Sequence, residues 1–160
     1  MLAHLMIAAA LLAQQSPEEA DKTSQLMAGY ARIERLANAA VRIEECSEWG
    51  YQSGTGVEGE VIDTWQRYLQ PNSMTVEAAI GRFNAQKERV RSEAEEEQVQ
   101  ALTSRQAFEI FRRNVSQRCA ALTFDRPNWL KGDAIDFVMA TMGWDDLANE
   151  RFGPEPDAAD

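Results

Sequence analysis

Apolar residues recur at intervals of three and four along most of this 160-residue chain. A spacing of three and four places side chains on one face of an α-helix, whereas a half-buried strand alternates apolar and polar residues. No such alternation continues over five residues anywhere in the sequence, and no segment repeats. The pattern therefore predicts an all-α protein, folded as a helical bundle. The longest stripe consists of Met27, Tyr30, Ile33, Leu36, Ala37, Ala40, Val41 and Ile43.

Capping and turn residues indicate where the helices begin and end. Ser16, Pro17 and Glu19 form a helix start, with serine as the N-cap, proline in the first turn and glutamate completing a capping box. Gly50 is expected to end this helix and Pro71 a later, shorter one. The sequence thus predicts three main helices and two short ones: about 17–48, 75–102 and 104–122 for the main helices, about 60–70 and 133–143 for the short ones.

The two cysteines, Cys46 and Cys119, are expected to form one structural disulfide. An even number of cysteines is typical of an oxidising compartment, and the C-x-x-C spacing of redox pairs is absent. Two free, buried thiols are the alternative. Both cysteines fall near the C-terminal ends of their helices, so a bond between them predicts that these two helices run parallel. The chain would then run up, down and up, with the short helix at about 60–70 as a lid element. The polar first turns of the first helix would extend beyond the turn at residue 103.

The same geometry predicts a compact aromatic head near the disulfide, carried by a three-helix stem. Most aromatic residues at helical spacing belong to a core. Trp49 and Trp129 flank loops instead, which makes them candidates for a binding surface. The residues expected in or near the head are Trp49, Tyr51, Trp65, Tyr68, Phe83 and Trp129.

The first 13 residues differ from the rest because they contain no Asp, Glu, Lys or Arg. An apolar core followed by small residues is typical of an export signal. We therefore predict a signal peptide at 1–13, a single helical domain at 14–153 and a disordered acidic tail at 154–160. The alternative for 1–13 is the apolar first turn of an N-terminal helix. The segment is shorter than the roughly 20 apolar residues that a membrane-spanning helix needs, so an integral membrane protein is not expected.

Charge and composition weigh against several classes of function. The formal net charge is −10, which repels nucleic acids and anionic lipids, so no nucleic-acid partner is expected. The nearest thing to a basic patch is Arg112, Arg113 and Arg118, which we interpret as an exposed helix face. The single histidine, His4, lies in the predicted signal peptide. The mature chain would therefore lack the usual base of serine hydrolases and a common zinc ligand.

Three further patterns resemble catalytic or binding motifs. Residues 54–59 match G-x-G-x-x-G, but they follow a helix and not a strand, so a flexible loop is the better interpretation. The acidic run at 93–97 lacks the spacing of a calcium loop and is typical of a solvated helix face. The pair Asp133 and Asp136 could serve carboxylate catalysis, as could the pair Asp145 and Asp146 beside Trp144. Asp133 and Asp136 have the simpler role of capping a helix start.

These observations predict no catalytic, cofactor-binding or metal-ligating residue and favour a binding role. We expect an exported, periplasmic or secreted, non-catalytic helical protein that acts as an interaction module for a protein partner. Its candidate interaction surface is Trp49, Tyr51 and Trp129, next to the glycine-rich loop at 50–58. The alternatives are a small hydrolase that uses carboxylates alone, and a carrier of a small apolar ligand between helices of the aromatic head.

Overall fold

The computed structural model describes residues 16–54, 56–131 and 134–154, with the backbone alone for 134–142. It is mostly helical, at 82%. This confirms the all-α prediction. The helices are α1 Pro17–Glu48, α2 Glu58–Thr64, α3 Val76–Ala101, α4 Arg105–Asp125 and α5 Ala134–Phe152. The predicted signal peptide lies outside the described residues, as does all of the predicted acidic tail except Pro154.

Two turns that are not regular α-helix connect α2 to α3. After α2 the chain continues as a π-helical turn at Trp65–Leu69 and a 3-10 turn at Gln70–Asn72. Two short strands, β1 Gln52–Ser53 and β2 Leu130–Lys131, pair in antiparallel fashion. The strand pair joins the loop after α1 to the loop after α4.

Side-chain caps fix the starts of the three long helices. The Ser16 hydroxyl accepts from the Glu19 amide, and the Glu19 carboxylate accepts from the Ser16 amide, which confirms the predicted capping box. Thr75 caps α3 and Ser104 caps α4 in the same way, through the amides of Ala78 and Ala107. Each cap satisfies an amide that the first helical turn leaves without a partner.

The predicted helix at 133–143 is longer than expected. It continues through Gly143 to Phe152, because Trp144 and Ala148 on its inner face are buried. Asp133, its expected cap, lies outside the described residues.

The predicted direction of the helices is wrong. Ion pairs and hydrogen bonds link α1 to α3 at Glu34–Arg82, Asn38–Gln86 and Glu44–Arg91, at separations of 48, 48 and 47 residues. Partners that advance together along both helices show that α1 and α3 are parallel. Because α4 follows α3 through a tight turn, it runs back along α3 and opposite to α1. A disulfide fixes one point of contact between two helices and leaves their direction open.

The segment between α1 and α3 is the return leg that the parallel arrangement requires, and not the lid element that was expected. It passes α1 at Gly29, where an added Cβ would lie 2.7 Å from Leu69 Cδ2 and 2.8 Å from Tyr68 Cβ. Glycine at this position therefore permits the close approach. The exposed first turns of α1 extend beyond this turn at 70–74 and not beyond the turn at 103.

The disulfide between Cys46 and Cys119 is present and completely buried. Their Cα atoms are 5.7 Å apart, within the ordinary range for a disulfide. The main hydrophobic cluster surrounds it and includes residues of α1, α2, α3 and α4, the loops beside both strands, and Trp144 of α5.

Candidate binding groove

The structure does not bring Trp49, Tyr51 and Trp129 together as one exposed surface. Tyr51 is 5% exposed and Trp129 is 8% exposed. The Trp129 indole Nε1 donates to Glu60 Oε1 at 2.8 Å, and the Arg126 guanidinium lies 4.8 Å from its ring centre. Burial raises the pKa of the Tyr51 phenol, more than the nearby Ser116 hydroxyl lowers it. Tyr51 and Trp129 are thus structural residues beside the strand pair.

The predicted aromatic head is also divided between two places. Trp65 and Tyr68 lie near Gly29, because the return leg brings them to the opposite end of α1 from Trp49. The Trp65 Nε1 donates to the Met74 carbonyl oxygen at 2.8 Å, which closes the turn into α3. These aromatic residues help to seal that end of the bundle.

Trp49 is half-buried at the other end of the bundle, where it is the centre of an aromatic cluster. Its ring packs edge-on against Trp144 and Phe111, with ring centres 4.8 and 5.8 Å apart. Phe108 lies 6.4 Å from Trp49 and 6.0 Å from Phe152. Separations of this kind are favourable for aromatic pairs. The cluster joins the C-terminal end of α1 to the first turns of α4 and to α5.

Two adjoining clefts open beside Trp49, and we call them together the groove. The first has a volume of about 280 Å³ and the second of about 600 Å³. Both are lined by Glu48, Trp49 and Leu147, so they lie on either side of the same three residues. The first is completed by Gln98, Ala101, Leu102, Phe108 and Phe111, the second by Gly50, Gly143, Trp144, Asp146 and Glu150.

The groove exposes apolar side chains that a folded chain normally buries. Leu102 is 38% exposed and Leu147 is 39% exposed. Leu102 lies in the turn between α3 and α4, where a polar residue would suit a solvated position. A concave surface lined by aromatic and aliphatic groups is typical of binding sites.

The charged residues that line the groove are all acidic: Glu48, Asp146 and Glu150. All three are exposed, and none forms an ion pair within 4 Å with another residue of the described ranges. Further along α1, burial alone would raise the pKa of Glu44, but hydrogen bonds and charge from Lys87 and Arg91 lower it on balance. The charge of Glu44 is therefore balanced by Lys87 and Arg91, whereas the three groove acids are exposed and have no ion-pair partner among the described residues.

A partly buried ion-pair network lies next to the disulfide, since Glu45 and Arg118 directly precede the two cysteines. The Glu45 side chain is 3% exposed and accepts from Arg118 at 2.9 and 3.2 Å. Arg42 and Glu97 complete the network, with Arg118 donating to Glu97 at 3.2 Å. Arg118 therefore does not lie on an exposed helix face, which is where the sequence predicted it. Arg112 is engaged too, by Glu109 and Asp145.

The other candidate motifs do not converge on a reactive site. Residues 54, 56 and 57 of the G-x-G-x-x-G match lie between β1 and α2, and residues 58 and 59 begin α2, beside an antiparallel pair and not a parallel sheet. Asp145 is engaged by Arg112, while Asp146 faces the groove. Asp133 and the Asp136 side chain lie outside what the structure describes. Within the described ranges, no group of three or more His, Cys, Asp or Glu residues could hold a metal ion.

In the described part of the chain, no helix combines the length and the apolar character needed to cross a membrane. Comparisons with protein-family models, with curated proteins and with solved structures each found no match.

Sequence reasoning identified Trp49 but missed most of its neighbours. Phe108 and Phe111 lie at helical spacing, which is typical of a core, and Leu147 lies beyond the end of the helix predicted at 133–143. The one sequence signal for the groove is Leu102, an apolar residue in a turn that is otherwise capped by polar groups.

Proposed function

We propose that this protein is a non-catalytic interaction module of an oxidising compartment, and that it binds a protein partner through the groove. The observation that supports this most strongly is the half-buried Trp49, in a groove with exposed Leu102 and Leu147. Central aromatic anchors surrounded by weaker contacts are typical of protein interfaces. Proposed export agrees with the disulfide, because disulfides persist mainly outside the reducing cytosol.

The test compares two variants that remove equal numbers of exposed apolar side chains. Leu102→Gln/Leu147→Gln alters the groove, whereas Ile110→Gln/Phe124→Gln alters residues on α4 that do not line it and are 52% and 86% exposed. Each tagged protein is used as bait in an envelope extract, after circular dichroism has shown that it is folded. We expect one partner to be retained by the wild type and the control, and lost by the groove variant.

A partner that binds all three proteins equally would contradict the assignment of the groove. Mass spectrometry of the exported form tests the compartment separately. The expected result is an oxidised cysteine pair and a chain that begins near Gln14. A full-length, reduced chain in the cytosol would overturn the proposal of export.

A carrier of a small apolar ligand is the second candidate, because the first cleft is close in volume to the lower limit of about 300 Å³ for small-molecule pockets. The interaction module and the carrier differ in whether a protein partner and a small apolar ligand exclude each other from the groove. An apolar dye that binds in the first cleft with one-to-one stoichiometry, and is not displaced by the captured partner, would favour the carrier.

A further inference from the structure

The electrostatic field of the groove is set by its own lining and by the helix ends that meet there. Glu48, Asp146 and Glu150 are exposed and have no ion-pair partner among the described residues. Glu48 lines both clefts, Asp146 and Glu150 line the second, and no basic residue lines either of them. Acidic residues with no internal partner leave a negative potential that attracts cations.

Nearby basic residues are engaged elsewhere. Arg91 is shared by Glu44 and Glu88, and Arg112 by Glu109 and Asp145. Arg105 donates to the Gly153 carbonyl oxygen and to Asn149 at the end of α5. Arg151 lies in the last turn of α5 but does not line either cleft.

The C-terminal end of α1 adds a second source of negative potential. The C-terminal end of a helix carries a partial negative charge, which basic residues in the last turn usually offset. Neither α1 nor α3 has a basic residue in its last turn, and both helices end at the groove, at Glu48 and Ala101. The C-terminus of α3 adjoins the N-terminus of α4, whose partial positive charge offsets it. The C-terminus of α1 has no such neighbour in sequence and adds to the negative potential of the groove.

We propose that the groove binds a basic amphipathic segment of a partner protein. One apolar side chain of the segment packs between Trp49, Leu102 and Leu147. Lysine or arginine side chains on either side of it lie against Glu48, Asp146 and Glu150. Tryptophan is the aromatic residue that attracts cations most strongly, so Trp49 can contribute to both kinds of contact.

This inference names the partner chemistry and rests on the proposed function. Charge complementarity identifies the occupant: an acidic peptide would meet unpaired acids and the negative end of α1, whereas a purely apolar segment would leave all of these charges without a partner.

The test uses three labelled peptides and measures binding by fluorescence anisotropy. The first is an amphipathic helix of Leu and Lys, the second replaces each Lys with Glu, and the third replaces each Leu with Ser. The groove-acid variant is Glu48→Gln/Asp146→Asn/Glu150→Gln. The matched control, Glu18→Gln/Asp21→Asn/Glu77→Gln, removes the same charges from the first turns of α1 and α3, away from the groove.

We expect the Leu–Lys peptide to bind the wild type and the control alike. Its affinity should fall about tenfold in the groove-acid variant, because three exposed charge pairs of ordinary strength have that combined effect. The affinity should also fall as salt is added, as screening of exposed charges requires. The Leu102→Gln/Leu147→Gln variant should lose binding as well.

If the Leu–Glu peptide binds as tightly as the Leu–Lys peptide, the charge assignment is overturned. If the Leu102→Gln/Leu147→Gln variant then loses that binding, the groove is still the binding site and the proposed function stands. Equal binding of the Ser–Lys peptide would show non-specific attraction to an acidic protein and would overturn the inference. If no peptide binds, the inference is wrong, while the capture experiment still decides the proposed function.

Discussion

The two ends of the parallel α1–α3 pair are built in opposite ways. At the Gly29 end, the return leg approaches α1 so closely that a methyl group would not fit, and Trp65 and Asn72 hydrogen-bond to backbone carbonyls. At the Trp49 end, apolar side chains remain exposed around a groove, and acidic residues lie beside the C-terminal end of α1.

The difference indicates a division of roles along one bundle. Tight packing at the Gly29 end leaves little room for a ligand, because interiors of this kind resist added volume. The Trp49 end exposes apolar side chains beside acidic residues, and an apolar patch with a polar rim is typical of an interaction site. The disulfide and the Glu45 network lie beside the groove, where they can hold it in shape without the partner.

Removing the disulfide should have the largest effect on stability. The Cys46→Ala/Cys119→Ala variant should lose about 4 kcal/mol of unfolding free energy, since the bond closes a loop of 73 residues. Urea denaturation measures the loss. Hydrogen exchange should rise more at the start of α4 than at the start of α3. An equal rise at both ends would show that the disulfide stabilises the two ends alike.

Breaking the buried ion pair should come second. Glu45→Gln leaves Arg118 with Glu97 alone, and we expect a loss of about 2 kcal/mol, below the full cost of breaking a buried pair because Arg118 is partly exposed and keeps one partner. The control is Glu34→Gln, which removes an exposed pair with Arg82 near the Gly29 end and should change stability by less than about 0.5 kcal/mol. Thermal or urea unfolding of both variants checks this. Similar losses would mean that burial does not distinguish the two pairs.

Adding one methyl group at the Gly29 end should have the smallest of the three destabilising effects. Gly29→Ala forces the return leg away from α1 and should cost about 1 to 2 kcal/mol. The same change at Gly81, within α3 and with no atom near the added Cβ, should stabilise the protein by about 0.5 kcal/mol. Unfolding midpoints measure both effects. If Gly29→Ala is neutral, the Gly29 end is less tightly packed than the structure indicates.

Local features of the bundle could be predicted from the sequence because they depend on neighbouring residues. The capping box at Ser16 and Glu19 is set within one helical turn, and apolar spacing gave the ranges of the long helices to within a few residues. The disulfide was predictable as well, because there are two cysteines and they have one possible pairing.

The relative direction of the helices and the set of residues that line the groove were not predictable from neighbouring residues. A bond between Cys46 and Cys119 is compatible with parallel and antiparallel helices, and the return leg at 58–72 has no sequence feature that distinguishes it from a lid. Gly143 was expected to end a helix, but burial of Trp144 outweighs the low helix propensity of glycine. The groove requires residues from four helices and the turn at Leu102, so local spacing could identify Trp49 and not its partners.

The covalent connection between residues 46 and 119 also affects how the protein would withstand proteases. A single cut anywhere from residue 47 to residue 118, including the glycine-rich loop, leaves both fragments joined through sulfur. Such a nicked molecule keeps α1 attached to α4 and can retain Trp49 beside Phe111. A reductant, a cut outside that interval or a second cut within it would release a piece of the chain.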